Sequence, residues 1–172
     1  MKRKAVSKSR SNYSWRQGGL ATTRYERVFP DARKSTTMED IHMHVDYWHE
    51  DVGVDVKGNN LPEEIWVELK NVQGKPGWVF GEAKYIAFDM PEVHGFIFVD
   101  REQLKNYCSE NVDFSSVVSK KDAYKKCYRR KDRDDLITCL TLDDLKDIPS
   151  FKVVEYSNEY LHPQSGEILY VS

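Results

Sequence analysis

Three stretches in the first half of the chain alternate apolar and polar residues, and β-branched and aromatic residues dominate them. They cover residues 41–48, 52–56 and 65–72. Side chains that alternate with a period of two line opposite faces of a β-strand, so each stretch is predicted to form a strand. The connecting segments, residues 49–51 and 58–62, contain residues that favour turns. Three strands joined by short turns are predicted to form an antiparallel meander.

Apolar residues recur at helical spacing in residues 20–29 and 78–88, which are predicted to form helices before and after the meander. The apolar run within residues 95–100 predicts a buried strand. The last third of the chain is predicted to add helices and strands at residues 102–107, 136–140, 142–148 and 151–155. This order predicts an α+β fold with a C-terminal α/β extension.

The length of 172 residues suits one domain with an extensive core and is short for two of ordinary size. We predict a single domain over residues 20–172, with its core at about residues 20–107 and an extension at residues 108–172. Residues 1–19 are rich in Ser, Lys, Arg and Gly and lack periodicity, which predicts a flexible arm. No acid precedes Glu26, although the net charge of the chain is −2, so the arm is strongly basic and suited to nucleic-acid backbones, with a solvated tail as the alternative.

The cysteines, Cys108, Cys127 and Cys139, are odd in number and form no C-x-x-C pair, so neither a disulfide framework nor a zinc site is indicated. The positively charged N-terminus is not followed by an apolar stretch of signal-peptide length, and no segment approaches membrane-spanning length. These features predict a cytoplasmic protein without membrane association.

Two of the predicted strands each carry an acid, a spacer and a lysine, in Asp55-Val56-Lys57 and Glu68-Leu69-Lys70. Side chains at i and i+2 leave a strand on the same face, so each triplet places a carboxylate beside an ammonium group. A tight turn after the first strand would place Asp46 opposite Asp55, and a tight second turn would bring Asp55 close to Glu68. The three acids are then predicted to form a row across one face of the sheet.

The predicted order of elements, with Glu26 on the first helix, Asp55 on the second strand and Glu68-x-Lys70 on the third, resembles the PD-(D/E)XK nuclease superfamily. Holliday-junction resolvases, restriction enzymes and phage recombination nucleases belong to this superfamily. The resemblance implies a restriction-endonuclease-like core of a helix, a three-stranded meander, a second helix and a further strand. It also implies that Asp55 and Glu68 bind a metal ion, that Lys70 is catalytic, and that Glu26 joins the site.

The family motif can also be aligned one strand earlier. Asp46 is then the first acid and Asp55-x-Lys57 the acid–lysine pair, while Glu68 becomes an auxiliary ligand and Lys70 a bystander. The first alignment leaves three strands before the second helix, as the family fold requires, and is preferred on that ground. The choice between the alignments decides which lysine is catalytic.

Either alignment implies a metal-dependent nuclease that hydrolyses phosphodiester bonds in DNA, prefers DNA structure to sequence and is related to phage or mobile elements. Mg²⁺ or Mn²⁺ suits carboxylate ligands with open water positions, so Asp46, Asp55 and Glu68 are the candidate ligands. A lysine nearby can orient the attacking water or stabilise charge on the phosphate. The alternatives are an inactive nuclease-like fold that binds DNA or a protein, and a nuclease that acts on RNA. Many nucleases of this kind are homodimers.

Basic residues crowd the chain between positions 120 and 133, with tyrosines among them at spacings that suit one face of a helix. Lysine and arginine side chains on one surface bind phosphates, so this stretch is predicted to bind DNA, with a solvated helix as the alternative. Its basic residues are Lys120, Lys121, Lys125, Lys126, Arg129, Arg130, Lys131 and Arg133.

Trp66 and Trp78 have spacings that fit burial, so both are predicted to be core residues rather than platforms for base stacking. His42, His44 and His49 lie near the first predicted strand. A His-x-His-x-Asp spacing is compatible with zinc binding, but partly exposed strand histidines are the preferred interpretation.

Overall fold

The computed structural model describes residues 19–161, so most of the predicted basic arm lies outside the described residues. The first described element is helix α1, residues 19–28. The helices that follow are α2 (Thr37–Met43), α3 (Arg101–Asn111) and α4 (Leu142–Lys146). The strands are β1 (Arg33–Lys34), β2 (Tyr47–His49), β3 (Val52–Lys57), β4 (Ile65–Lys70), β5 (Tyr85–Met90), β6 (Gly95–Asp100), β7 (Asp113–Val118), β8 (Lys126–Tyr128), β9 (Leu136–Leu140) and β10 (Lys152–Glu155). Within the described range no helix combines the length and the apolar character needed to cross a bilayer.

The larger of the two sheets has six strands in the order β1-β2-β3-β5-β6-β10. Strands β2 and β3 form an antiparallel hairpin, and β3 and β5 are parallel. The remaining neighbours, including β5 with β6 and β6 with β10, are antiparallel. The sheet therefore joins strands from both halves of the described chain.

The smaller sheet has four strands in the order β4-β9-β8-β7. Strand β4 pairs with β9 in antiparallel register, with an irregularity between Glu68 and Lys70. Strands β8 and β9 are antiparallel, whereas β7 and β8 are parallel. The two mixed sheets and their helices make an α+β fold, in agreement with the predicted class.

The main hydrophobic core lies between the two sheets. Ile65, Val67 and Leu69 of β4 share it with Ile86 and Phe88 of β5. Each apolar side chain of this size contributes roughly 1.5–3 kcal/mol when it is fully removed from water. The core therefore holds the two sheets together.

Helix α1 covers the opposite face of the six-stranded sheet. Its residues Ala21 and Tyr25 pack with Val54 and Val56 of β3. Because side chains alternate along a strand, Asp55 points to the other face, toward the four-stranded sheet. This alternation positions the candidate site described below.

The predicted three-stranded meander is wrong beyond its first hairpin, because β5 rather than β4 lies beside β3. The segment that follows β3 is fixed to β5 by Asn60. The Asn60 side chain donates hydrogen bonds of 2.7 Å to the Lys57 carbonyl and 3.1 Å to the Asp89 carbonyl. Further along, the Pro62 carbonyl accepts a hydrogen bond from the Leu142 N–H. The chain is thereby directed into the second sheet instead of folding back beside β3.

The helix predicted at residues 78–88 is also wrong. A 3₁₀ turn at Trp78–Phe80 is followed by strand β5. Strand β5 has Phe88 in the core between the sheets and Ala87 in the core under α1. A strand that is buried on both faces lacks the alternation of apolar and polar residues. Its apolar run cannot be distinguished from a buried helix by periodicity alone.

The basic stretch at residues 120–133 does not form the predicted helix. It contains a 3₁₀ turn at Lys120–Asp122, strand β8 and loops. Lys125 and Asp132 have left-handed backbone conformations, with φ of 52° and 60°, which interrupt any continuous helix.

The first predicted strand, residues 41–48, is correct only in its second part. Helix α2 continues to Met43, and Thr36 caps it by accepting a hydrogen bond from the Glu39 N–H while the Glu39 carboxylate accepts one from the Thr36 N–H. This capping box begins a helix in a sequence that alternates like a strand. The predicted strand at 95–100 and helix near 102–107 are confirmed as β6 and α3.

Asp144 joins α4 to the loop before β8 and to α3. Its Oδ1 atom accepts hydrogen bonds of 2.9 Å from Tyr107 and 3.1 Å from Tyr124 and lies 2.8 Å from Lys125 Nζ, while its Oδ2 atom accepts one of 3.0 Å from Thr141. Burial alone would raise the pKa of Asp144, but these donors outweigh it and lower the pKa to about 2. The carboxylate therefore stabilises the folded state when it is ionised.

Replacement of Asp144 by asparagine is expected to cost about 2 kcal/mol at neutral pH, since the folded pKa lies near 2 and the ordinary value is 3.8. This stabilisation is present above the unfolded pKa and is lost as pH falls toward 2. Denaturant unfolding between about pH 6 and pH 2 should show a smaller loss of stability for the variant. Asp143→Asn, at a side chain that is 89% exposed, is the control. Parallel pH profiles for Asp144→Asn and the unsubstituted protein would contradict this role.

Candidate carboxylate site at the end of the β2–β3 hairpin

The β2–β3 hairpin sets Asp46 beside Asp55. Tyr47 pairs with Val54, and the Asp46 N–H donates to the Val54 carbonyl over 2.9 Å. The paired register ends at Tyr47 and Val54, and Asp46 directly precedes β2, close enough for its carboxyl group to act on Asp55. The Asp46 Oδ2 atom accepts a hydrogen bond of 2.7 Å from the Val56 N–H, so the strand ladder fixes this carboxylate.

Asp55 is a buried acid with one unpartnered oxygen. Its residue surface is 2% exposed, and its Oδ1 atom lies 2.7 Å from Lys57 Nζ. Its Oδ2 atom is buried and accepts no hydrogen bond from a donor, and a side-chain hydrogen bond with the Asp46 carboxyl group is one of the effects that raise its pKa. Burial raises the pKa of Asp55 well above its ordinary value, and the Asp46 charge adds to this effect, while Lys57 opposes it. A buried carboxylate beside a second carboxylate is an arrangement that favours a bound proton or a cation.

Lys57 lies among the acids of the site. Its Nζ atom is 5.0 Å from the centre of the Trp78 ring, in addition to its contact with Asp55. Burial would lower the pKa of Lys57, but the charges of Asp55, Asp46 and Glu68 outweigh burial and raise it. Lys57 therefore remains an ammonium ion at neutral pH and acts as a fixed positive charge.

Glu68 reaches this group from the other sheet. The backbone at Gly77 packs directly on Glu68, because a Cβ atom at residue 77 would lie 2.2 Å from the Glu68 carbonyl oxygen. The Trp78 N–H donates a hydrogen bond to the Glu68 carboxylate. Burial raises the pKa of Glu68, opposed by Lys57, the Trp78 N–H and the Arg130 charge. The close approach at Gly77 therefore fixes Glu68 beside the Trp78 turn, and its charge acts on Lys57 from there.

Lys70 stands apart from these acids. It is exposed at the end of β4, where it pairs with Leu136 and forms a bridge with Pro76. No ion pair joins Lys70 to the described part of the chain. Of the two lysines that the sequence leaves as candidates, Lys57 is the one beside Asp55.

Glu26 lies on the opposite face of the six-stranded sheet. Its carboxylate accepts a hydrogen bond of 2.7 Å from the Tyr47 hydroxyl and lies 3.6 Å from Lys34 Nζ. Tyr47 belongs to the core under α1, whereas Asp55 points to the other face. The helical acid is thus separated from the carboxylate site by the sheet.

The three histidines near the hairpin do not converge. His42 is exposed, the His49 ring shares a hydrogen bond of 2.6 Å with the Tyr25 hydroxyl, and His44 ends α2 with a φ of 53°. The His44 charge acts on Glu68. Among residues 19–161, no three His, Cys, Asp or Glu side chains are close enough together to hold a metal ion.

Two carboxylates of the site nevertheless have the donor chemistry that a hard divalent cation prefers. Mg²⁺ binds proteins through one or two carboxylates and keeps several waters. Asp46 and Asp55 supply such a pair, and the free Oδ2 atom of Asp55 is a buried acceptor in need of a partner. Glu68 belongs to the same electrostatic group without completing a three-residue ligand set.

The predicted DNA-binding residues fall into two groups. Three are held by acids: Lys120 lies 3.5 Å from Glu64, Lys125 lies 2.8 Å from Asp144, and Arg130 pairs with the buried Asp135. The others are exposed and form no ion pair within residues 19–161: Lys121, Lys126, Arg129, Lys131 and Arg133.

Trp78 is buried in the core as predicted, but Trp66 belongs to neither core and is half-buried. Two features near the site do not follow from the predicted pattern: the close approach of Gly77 to Glu68 and the half-buried surface position of Trp66. The alternation of Trp66 with Ile65 and Val67 is the signal that could have indicated its outward position.

The chain matches no protein-family model, no curated protein and no solved structure with which it was compared.

Proposed function

We propose that the chain is a divalent-metal-dependent nuclease that hydrolyses phosphodiester bonds in DNA at the site formed by Asp46, Asp55 and Lys57. The observation that carries this proposal is the buried Asp55 carboxylate, which has an unpartnered oxygen beside a second carboxylate. A buried acid is costly unless it is compensated, and perturbed acids of this kind concentrate at functional sites.

The arrangement supports the second alignment of the nuclease motif over the first. In that alignment Asp46 and Asp55 are the acids and Lys57 the catalytic lysine, with Glu68 as an auxiliary acid. Helix α1 over a mixed sheet and a hairpin that carries the acids are features in common with a restriction-endonuclease-like core. The third strand of the family motif is replaced by a strand of the second sheet, so the proposal rests on the site rather than on the complete topology.

Each residue of the site has a chemical role in this proposal. Asp46 and Asp55 would hold Mg²⁺ or Mn²⁺, which lowers the pKa of water and neutralises phosphate charge when it is bound. Lys57 is an ammonium ion with a raised pKa, so it would orient the phosphate and stabilise its developing negative charge instead of removing a proton. Glu68 would keep Lys57 in place by attracting its charge.

A second candidate function is a nuclease-like module that binds DNA or a protein without cleaving it. Lys57 Nζ already lies 2.7 Å from Asp55 and neutralises much of its charge. The lack of a three-residue ligand set among the described residues also favours this reading. In such a module, the Asp55–Lys57 pair would be structural.

A cleavage assay distinguishes the two functions. Supercoiled plasmid, linear duplex, single strands and a four-way junction are incubated with Mg²⁺, with Mn²⁺ and with EDTA. Metal-dependent cleavage that EDTA stops and added Mg²⁺ restores is expected. Binding of DNA without cleavage of any substrate in either metal would contradict the enzyme and favour the module.

The two lysines give a sharper comparison. Lys57→Ala is expected to slow cleavage by about a hundredfold or more, because it removes a positive charge beside the reacting phosphate. Lys70→Ala, which removes an exposed lysine from the next acid-x-lysine triplet, is the matched control and should change the rate by no more than a few fold. Single-turnover rates at saturating Mg²⁺ measure both. The reverse order of effects would restore the first alignment.

A further inference from the structure

The outer face of the four-stranded sheet is the face turned away from the six-stranded sheet. Ile65, Val67 and Leu69 of β4 are buried in the core, and Trp66 and Glu68, which alternate with them before the irregularity at the end of the strand, lie on the outer face. Glu68 pairs with Ile137, and Ile137 pairs with Tyr128, so these three residues form a row across the strands. β4 is the edge strand of its sheet, so Glu68 stands at the border of this face, from which its charge acts on Lys57 of the carboxylate site.

Trp66 and Tyr128 form an aromatic pair on this outer face. Their ring centres are 6.1 Å apart, and both side chains are half-buried. The Trp66 Nε1–H donates a hydrogen bond of 2.7 Å to Glu64, which fixes the indole. Lys120 Nζ lies 5.4 Å from the centre of the indole ring and 3.5 Å from Glu64. The indole is therefore held in place beside Tyr128, and one exposed lysine side chain lies over the indole.

Cations border this face. Exposed basic residues lie on the segments that carry the aromatic pair: Lys120 beside Trp66, Lys126 on β8, and Arg129, Lys131 and Arg133 in the loop that follows β8. Glu64 and Glu68 are acids on or next to β4. The loop between β8 and β9 also carries two exposed acids, Asp132 and Asp134, so its charge is mixed.

The β8–β9 loop is held in position beside β4. The Asp135 carboxylate binds both the backbone N–H and the side chain of Arg130, and the Asp134 N–H donates to the Val72 carbonyl over 3.3 Å. Lys70 lies at the end of β4 next to this loop. The basic side chains therefore stand on fixed backbone at the border of the outer face.

We propose that the outer face binds an unpaired DNA strand, with bases stacked on Trp66 and Tyr128 and phosphates bound by the surrounding cations. Aromatic rings accept any base in an unpaired strand, whereas in a duplex the faces of the bases are already stacked. On binding, a phosphate takes Lys120 from Glu64 and uncovers the indole. Binding requires no cleavage; its link to cleavage rests on the proposed nuclease function, because Glu68 at the border of this face acts electrostatically on Lys57 of the carboxylate site.

Binding is tested in EDTA, with a fluorescein-labelled oligothymidylate of about 16 nucleotides and its duplex with oligodeoxyadenylate. Fluorescence anisotropy should show tighter binding of the single strand. Trp66→Leu and Tyr128→Leu are each expected to weaken it by about fivefold to a hundredfold, and Trp66→Phe should restore most of the affinity. Phe80→Leu, at a side chain that is 51% exposed elsewhere on the surface, is the control and should leave binding unchanged. Circular dichroism verifies that each variant folds.

The salt dependence tests the cations separately. Lys126→Ala is expected to reduce the slope of log affinity against log salt by about 0.7, the value for one phosphate contact on a single strand. Lys152→Ala removes an exposed lysine of β10, on the other sheet, and should not change the slope. Trp66→Leu should lower the affinity at every salt concentration without a change in slope.

The results separate this proposal from the nuclease proposal. Equal affinity for duplex and single strand, tighter binding of oligouridylate than of oligothymidylate, or unchanged binding in Trp66→Leu and Tyr128→Leu would overturn the binding surface. Cleavage without such binding would support the nuclease proposal and overturn the binding surface. Binding in EDTA without cleavage in Mg²⁺ would support the surface and overturn the enzyme.

Discussion

Replacement of Asp55 by asparagine is expected to lower the rate of DNA cleavage by more than about a hundredfold while leaving the metal-free protein at least as stable as before. The asparagine oxygen can keep the contact with Lys57. Its amide can donate to the Asp46 carboxylate, so a hydrogen bond replaces the repulsion between two acids. A residue with only a structural role would show the opposite combination, because loss of its ion pair would destabilise the fold and leave catalysis unaffected.

Denaturant unfolding in EDTA and in Mg²⁺ checks the stability part of this prediction. Mg²⁺ is expected to raise the midpoint for the unsubstituted protein, because a ligand that binds the native state stabilises it by mass action. The same addition should leave Asp55→Asn unchanged. Asp51→Asn, which removes an exposed acid from the turn of the same hairpin, is the matched control and should keep both activity and the Mg²⁺ effect. Equal Mg²⁺ effects in the two variants would contradict metal binding at Asp55.

Replacement of Asp89 by alanine is expected to cost about 3–5 kcal/mol of folding free energy, because it leaves the Arg24 charge buried without its partner. Arg24 Nε donates to Asp89 Oδ2 over 2.9 Å, and the two side chains are 3% and 0% exposed. The Tyr156 hydroxyl donates a hydrogen bond of 2.8 Å to Asp89 Oδ1. This pair therefore ties α1 to β5 and to the segment after β10.

Guanidinium unfolding of the single and double variants measures this coupling. Arg24→Met combined with Asp89→Leu is expected to be more stable than Asp89→Ala alone, because no buried charge remains. Lys84→Ala, which breaks the contact between Lys84 and Asp100 at a side chain that is 57% exposed, should leave the midpoint nearly unchanged. Strictly additive effects of Arg24→Met and Asp89→Leu would show that the two side chains do not act as a pair.

The β2–β3 hairpin could be predicted from the sequence because its information is local. Residues 49–51 favour a tight turn, and the turn fixes the register that pairs Tyr47 with Val54 and so brings the neighbouring Asp46 and Asp55 together. The partners of β3 and β4 on their other edges could not be predicted in this way. β5 takes the place beside β3 that β4 was predicted to occupy, and β4 pairs with β9 instead. Tertiary packing, and not the turn residues, decides these pairings.

The choice of lysine also lay beyond the sequence. Asp55-Val56-Lys57 and Glu68-Leu69-Lys70 have the same spacing, so regular alternation predicts an ammonium group beside a carboxylate in each triplet. What distinguishes them is the position of Asp46, which the hairpin brings beside Asp55, and the exposure of Lys70 at the end of β4. The two triplets have the same periodicity in the sequence. They differ in the sheet to which their strands belong.

The pairing of β4 with β9 has a consequence for the order in which the protein is made. Glu68 pairs with Ile137, which is 69 positions later in the chain. At about 5–20 residues per second, the hairpin with Asp46 and Asp55 leaves the ribosome roughly 4–16 s before β9 does. A nascent chain therefore holds the two acids of the hairpin without Glu68 in place. The complete site, and any cleavage that it performs, has to wait until most of the protein has been synthesised.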